Sequence, residues 1–155
     1  MLPRILEYLD QNTVEYSHHT HPAAYTAREM ASAEHVPMRE VAKAVVFLEE
    51  GGYCMAVLGA DCAVDMYELR MLLGQPNLRL ATELELSTLF PECELGAVPP
   101  LGNLFNMPVY VDSRLAREEM IEFNAGTHRD VIRLRFRDYD SLVKPIVVNF
   151  ARVAA

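Results

Sequence analysis

Apolar positions along the chain follow two periods. Ile5, Leu6 and Leu9 recur at helical spacing across residues 2–12, with Pro3 in the first turn, so a helix is expected there. Residues 14–18 alternate and predict a short strand. Thr26 with Glu29 three residues on reads as a capping box, and Met30, Ala31 and Ala33 carry that helix to about His35, before Pro37. Two β-rich runs, 43–49 and 53–58, flank Gly51 and Gly52 and predict a hairpin. Both runs are apolar on both faces, so the sheet should be covered on both sides. Helices are expected at 65–73, stopped by Gly74 and Pro76, and at 82–90, capped by Thr82 with Glu85; residues 78–81 suit a short strand.

Gly96, Pro99, Pro100, Gly102 and Pro108 make residues 96–108 an ordered loop without regular structure. Beyond it come a strand at 109–111, a helical turn capped by Ser113, a strand at 120–123 and a turn at 124–127. Residues 131–136 place Val131, Arg133 and Arg135 on one face and Ile132, Leu134 and Phe136 on the other. A helix at 138–143 turns Tyr139, Leu142 and Val143 inward, and an apolar, strand-like segment covers 145–150. Strands outnumber helices and short turns join several of them. The pattern predicts an α/β (α+β) domain with a mixed, mostly antiparallel sheet, spanning residues 1–155 as one unit.

Composition narrows the classes. A chain of 155 residues, 51% hydrophobic and 23% charged, suits one globular domain and excludes disorder, collagen-like repeats and coiled coil. The net charge of −8 argues against a domain that coats nucleic acid by bulk positive charge, and against a polybasic membrane anchor. Three cysteines without CxxC spacing fit neither a disulfide framework nor a four-cysteine zinc site. No secretory signal and no bilayer-spanning run is read, and eight Met with free Cys suit a reduced cytoplasm.

Candidate chemistry is sparse. His18, His19 and His21 invite a metal reading, but this spacing on a strand does not aim two imidazoles to one side, so a polar turn is favoured and no metal is expected. Cys62 and His128 could pair as nucleophile and base; Cys62 sits in a small-residue stretch and reads better as a small buried hydrophobe. No GxSxG, P-loop or GxGxxG occurs. Lys43 is more informative: it opens an apolar strand in a chain with twelve Arg and two Lys. A lysine there either snorkels to water or presents a compact charge to a phosphate or ester oxygen. The 96–102 loop either connects two lobes rigidly or offers backbone N–H groups to a ligand.

Three blocks carry a family resemblance. The first runs His21-Pro-Ala-Ala-Tyr25-Thr26-Ala-Arg-Glu-Met30-Ala; the second is Val41-Ala-Lys43-Ala-Val-Val-Phe47. The third is Gly96-Ala97-Val98-Pro99-Pro100-Leu101-Gly102, a GxxxP loop, followed by Asn124-Ala125-Gly126. In this order they resemble the YbaK/prolyl-tRNA-editing (INS) family of free-standing aminoacyl-tRNA deacylases, over about residues 13 to 145. The resemblance implies a curved, mostly antiparallel sheet with surrounding helices. It implies hydrolysis of the ester between a wrong, small amino acid and the 3′-terminal adenosine of tRNA, without a cofactor.

On that resemblance Lys43 binds and orients the adenosine or its phosphate and adds positive potential near the ester. The backbone of Gly96, Ala97, Val98, Pro99, Pro100 and Gly102 cradles the carbonyl or the ribose. Asn124 and Gly126 line the opposite wall, and Tyr25, Thr26 and Met30 shape a small-residue pocket. His128 is either a gate for the amino-acid side chain or a surface histidine. Asn124 stands where many relatives carry Ser, and Ala44 where several carry Thr, which bears on the amino acid accepted. With no protein general base in view, a water or the neighbouring ribose hydroxyl would relay the proton. The implied partners are aminoacyl-tRNA and, transiently, a tRNA synthetase, with no membrane. A non-catalytic module of the same fold that binds a nucleotide or a tRNA 3′ end is the alternative.

Residues 126–155 hold six Arg and Lys against three Asp, a local +3, which leaves −11 on the rest. Arg133 and Arg135 share a strand face that could meet tRNA phosphates or simply be solvated.

Overall fold

The structure is a computed structural model that describes residues 1–154. It begins with α1 (Leu2–Gln11), whose buried Ile5 and Leu9 bear out the apolar stripe. Strand β1 (Tyr16–Thr20) starts two residues later than the alternation suggested. Helix α2 (Ala27–Glu34) begins at the Thr26 cap, where the Thr26 hydroxyl accepts from the Glu29 N–H at 3.0 Å. The reciprocal arm of the capping box lands one residue early: Glu29 accepts from the N–H of Tyr25 at 3.2 Å.

The hairpin forms from β2 (Ala42–Glu49) and β3 (Gly52–Gly59), with Glu49 opposite Gly52. Its two-residue turn is therefore Glu50-Gly51, and Gly52 already belongs to the ladder. Strand β4 (Cys62–Val64), helix α3 (Met66–Leu73), strand β5 (Arg79–Leu80) and helix α4 (Glu83–Leu89) follow. Asp65 and Thr82 cap the two helices, and Thr82 with Glu85 closes a complete capping box. After the 96–102 loop come β6 (Val109–Asp112), β7 (Met120–Asn124), β8 (Asp130–Arg135), α5 (Phe136–Val143), β9 (Ile146–Val148) and β10 (Ala151–Val153).

The fold is mixed α/β and mostly antiparallel, as expected, but its strands divide among three ladders. Five strands run β5-β2-β3-β6-β9, three run β1-β8-β7, and β10 pairs with β4. The β3–β6 and β6–β9 pairings are parallel, because long connections rather than tight turns join those strands. One isolated parallel bridge, Val41 to Glu122, joins the five-stranded ladder to the three-stranded one. Asp112 is fully buried and accepts from the N–H groups of Phe150 and Ala151 at 3.0 and 2.9 Å, which fixes the chain as it enters β10.

The hairpin is covered on both sides. Ala42, Val46, Met55 and Val57 face the main core with Leu101, Phe123, Ala125 and Tyr139. Phe47, Cys54, Ala56 and Leu58 face a second core with Cys62, Leu69 and Phe150. A third, smaller core lies under α2 and joins Met30 and Ala31 to Val41, Ala60 and Val131. Among the described residues no helix is long and apolar enough to cross a membrane.

Candidate active site

The 96–102 loop and the 124–128 turn are laced together. Gly126 N–H donates to the Ala97 carbonyl at 3.0 Å, and Glu94 N–H donates to the Gly126 carbonyl at 2.8 Å. Both glycines need positive φ, +83° at Gly96 and +94° at Gly126, a backbone shape that other residues adopt with strain. Ala97, Pro99, Pro100 and Leu101 are buried, and the Pro100 carbonyl accepts from the buried Tyr139 hydroxyl at 2.6 Å. The loop is thus held from behind. The N–H groups of Gly96 and Val98 have no acceptor among the described residues, so they remain free for a ligand. Gly102 lies at the far end, opens a 3-10 turn and packs where a Cβ would fall 2.8 Å from Val109; its small size serves packing.

His128 is buried. Its N–H donates to Glu94 Oε1 at 2.8 Å, and its Nε2 lies 2.7 Å from the Leu95 carbonyl. A carbonyl accepts, so Nε2 carries the proton in the neutral ring, and Nδ1 is left as a buried acceptor without a partner. The exposed Tyr25 ring lies 5.0 Å from the imidazole, and Ala24 N–H donates to the His128 carbonyl at 3.1 Å. These contacts bring the start of α2 to the turn. Thr26 serves as the cap of α2, and Met30 is buried beneath that helix.

Lys43 is placed by register. Two residues beyond the Val41–Glu122 bridge, in the same direction on both strands, stand Lys43 and Asn124. Each shares the face of its bridge residue, because side chains two apart on a strand project alike. The ladder does not continue past the bridge, so Lys43 and Asn124 flank the point where β2 and β7 part. Lys43 is half-buried and donates to the Cys62 carbonyl at 2.5 Å; its hydrogen bond goes there and not to the 96–102 loop. Burial lowers its pKa, partly countered by Cys62 and Asp61.

Of the two arginines on this face of β8, Arg133 is not free. Arg133 donates to Glu122 Oε1 and Glu40 Oε1, both at 2.8 Å, so its charge answers two carboxylates and not tRNA phosphates. Arg135 is exposed. The three early histidines diverge: His18 goes to Asp130, His19 to Glu34 and His21 to the Pro22 carbonyl. Cys62 is buried, and burial raises its thiol pKa, which suits the small-hydrophobe reading. A groove of about 470 Å³ on α3, lined by Tyr67, Arg70, Met71, Gly74 and Pro76, shares no residue with the site.

Three groups escaped sequence reasoning: Glu94 and Leu95, which hold His128, and Glu122 with its partners Arg133 and Glu40. Glu122 carried a faint signal, a lone carboxylate between Ile121 and Phe123 in an apolar strand.

Comparisons with known proteins bear on the family and the fold. The aminoacyl-tRNA editing domain model matches residues 21–142, most of the chain. A multifunctional Ser/Thr-tRNA deacylase, ProXp-y, of Escherichia coli (strain K12) is 28% identical over 156 residues, covering 97% of this chain and 93% of that protein. A proline–tRNA ligase of Staphylococcus saprophyticus is 32% identical over 95 residues, 59% of this chain and 16% of the ligase. Among solved structures, a putative trans-editing enzyme for prolyl tRNA synthetase superposes with a TM-score of 0.85 at 24% identity, covering 97% of this chain and 96% of the other. A hypothetical protein superposes at 0.87 with 20% identity, covering 96% and 99%. The His21 turn, Lys43 strand, GxxxP loop and Asn124-Ala-Gly turn of this protein all lie within the span matched by the family model, and the chain belongs to the aminoacyl-tRNA editing domain family.

Proposed function

We propose that this protein acts in trans on tRNA mischarged with a small amino acid and hydrolyses its ester, with serine and threonine as first candidates because the ProXp-y relative carries those two in its name. One observation carries the reading. Three separated segments, 24–30, 94–97 and 124–128, are hydrogen-bonded or packed onto one another beside the point where β2 and β7 part, and Lys43 and Asn124 flank that point.

The chemistry follows from the charges. A water attacks the ester carbonyl carbon, the bond to the terminal ribose oxygen breaks, and that oxygen takes a proton. The N–H groups of Gly96 and Val98, unpaired among the described residues, would hold the developing oxyanion, and the stiff backing of the loop would spare them reorganisation. Lys43 supplies the cation for the terminal adenosine or its phosphate and biases the ester toward attack. A water or the adjacent ribose hydroxyl relays the proton. Recognition at one 3′ end suits a chain whose net charge is −8. The proline–tRNA ligase resemblance supports a transient association with a synthetase, since there a similar stretch is part of the synthetase chain itself.

The test is a panel of alanyl-, seryl-, threonyl- and cysteinyl-tRNAs incubated with purified protein. At least one should lose its amino acid far faster than in buffer. If all persist while the protein still binds tRNA, it is a binding module of the same fold and not a deacylase.

A further inference from the structure

On the face of β7 beside Val131 two buried oxygens lack a donor among the described residues: Oε2 of Glu122 and Oδ1 of Asn124. A buried polar atom without a partner is costly, so native structures keep few of them. These two belong to one strand, two residues apart on the same face, so their Cβ atoms are about 7 Å apart. Val131 of β8 lies on this face, and Met30 and Ala31 of α2 pack against it. On the facing strand stand Val41 and, two residues on, Lys43.

The local charge selects the ligand. Glu122 and Glu40 share the single guanidinium of Arg133, and Glu34 on α2 is met by the imidazole of His19. Three carboxylates thus lie near one guanidinium and one imidazole, with Glu34 and His19 close enough to act on Glu122. Glu122 is 1% exposed, so its free oxygen is poorly screened by solvent. An anion would be repelled there and a donor cation attracted. Lys43, on the other side of the gap, suits the opposite end of the same substrate.

We propose that Glu122 Oε2, with Asn124 Oδ1, receives the α-ammonium group of the esterified amino acid. The inference rests on the deacylase reading and deepens it: the enzyme recognises the amine common to its substrates and leaves side-chain choice to the pocket wall. Met30 and Ala31 pack on Val131, the cross-strand neighbour of Asn124, so α2, a helix of eight residues, must shift for the substrate to reach the two oxygens.

Glu122→Gln tests this without disturbing the Arg133 contact, since the amide oxygen replaces Oε1 and an NH₂ group replaces the free oxygen. Alanyl-, seryl- and threonyl-tRNA are compared with their α-hydroxy counterparts made by nitrous acid deamination, each rate divided by spontaneous hydrolysis of the same ester. Wild type should favour the amine over the hydroxyl about tenfold or more, and the variant should bring that ratio close to one. An unchanged ratio in the variant, or equal losses on both substrates, overturns the proposal. Should the variant fail to fold, a wild-type ratio near one overturns it as well, and a high one that Asn124→Asp raises further supports it. Wild type inactive on every ester refutes the deacylase reading itself, a separate result.

Discussion

The ring of His128 stands against the position a side chain would take at Gly96: a Cβ there would fall 3.3 Å from His128 Cε1. The loop and the histidine therefore share one packing contact besides the bond from Nε2 to the Leu95 carbonyl. Gly126, on the other side of the turn, would place its Cβ 2.9 Å from the flexible Met1 side chain, which can move aside. Of the two glycines, Gly96 couples loop shape to the histidine.

Gly96→Ala should for that reason lose both stability and activity. The positive φ of +83° alone costs about 1–3 kcal/mol for a residue with a Cβ. The contact with His128 shifts the ring or the loop, and the free N–H groups of Gly96 and Val98 move with it. Urea unfolding and deacylation measured side by side check this. Wild-type values in both would remove the coupling.

Lys43→Ala and Lys43→Met should each lower deacylation by about 10²–10³, the scale of losing one donor that meets developing charge. Met keeps the apolar stem, so thermal unfolding should stay close to wild type in that variant. Lys43→Arg should not restore the rate, because a planar guanidinium does not substitute for a compact ammonium donating to the Cys62 carbonyl. Full activity in Lys43→Met would displace Lys43 from the site.

Much of this was legible in the sequence, for identifiable reasons. The β2–β3 hairpin and the helices capped by Thr26, Asp65 and Thr82 are local, and local rules found them within a residue or two. Strands β4 and β10 were not read, because each is three residues long and pairs only with the other, far away in the chain. Arg133 looked like a solvated or phosphate-facing residue by alternation; strand pairing with Glu122 and the approach of Glu40 changed that. The candidate site residues came from the family resemblance, while the bonds that hold them, Glu94 and Leu95 on His128 among them, depend on tertiary approach that no short motif records.

Arg133→Met isolates the buried carboxylate. Burial already raises the pKa of Glu122, with Arg133 opposing that rise. Removing the guanidinium leaves an uncompensated charge at a residue 1% exposed, and losses of about 3–5 kcal/mol attend such changes. The pH dependence has a definite sign. A carboxyl whose folded pKa lies above its unfolded value favours the folded state below the unfolded pKa, and that benefit is lost as pH rises through the folded pKa. The gap between wild type and Arg133→Met should therefore narrow as pH is lowered from neutrality toward the carboxyl range. A gap that stays constant from pH 7 to pH 5 in urea titrations would mean that the guanidinium acts by packing and not by charge.

Cys54 should make the fold sensitive to alkali. Burial against Phe47 and its neighbours, with Glu49 adding repulsion, pushes its thiol up to about 12 from an ordinary 9.0. The folded state therefore keeps a proton that the unfolded chain releases near pH 9. Stability from this group is intact below pH 9 and drains away between pH 9 and about 12. Lys43 works in the opposite sense, since burial lowers its pKa and the folded state sheds that proton more readily. The comparison is thus made against Cys54→Val, which keeps an apolar side chain of similar size at the same place and leaves Lys43 untouched. Urea midpoints measured from pH 8 to pH 10.5 should fall more steeply for wild type than for the variant. Parallel slopes would show that the thiol is free to ionise in the folded protein and that the second core is open to water beside Phe47.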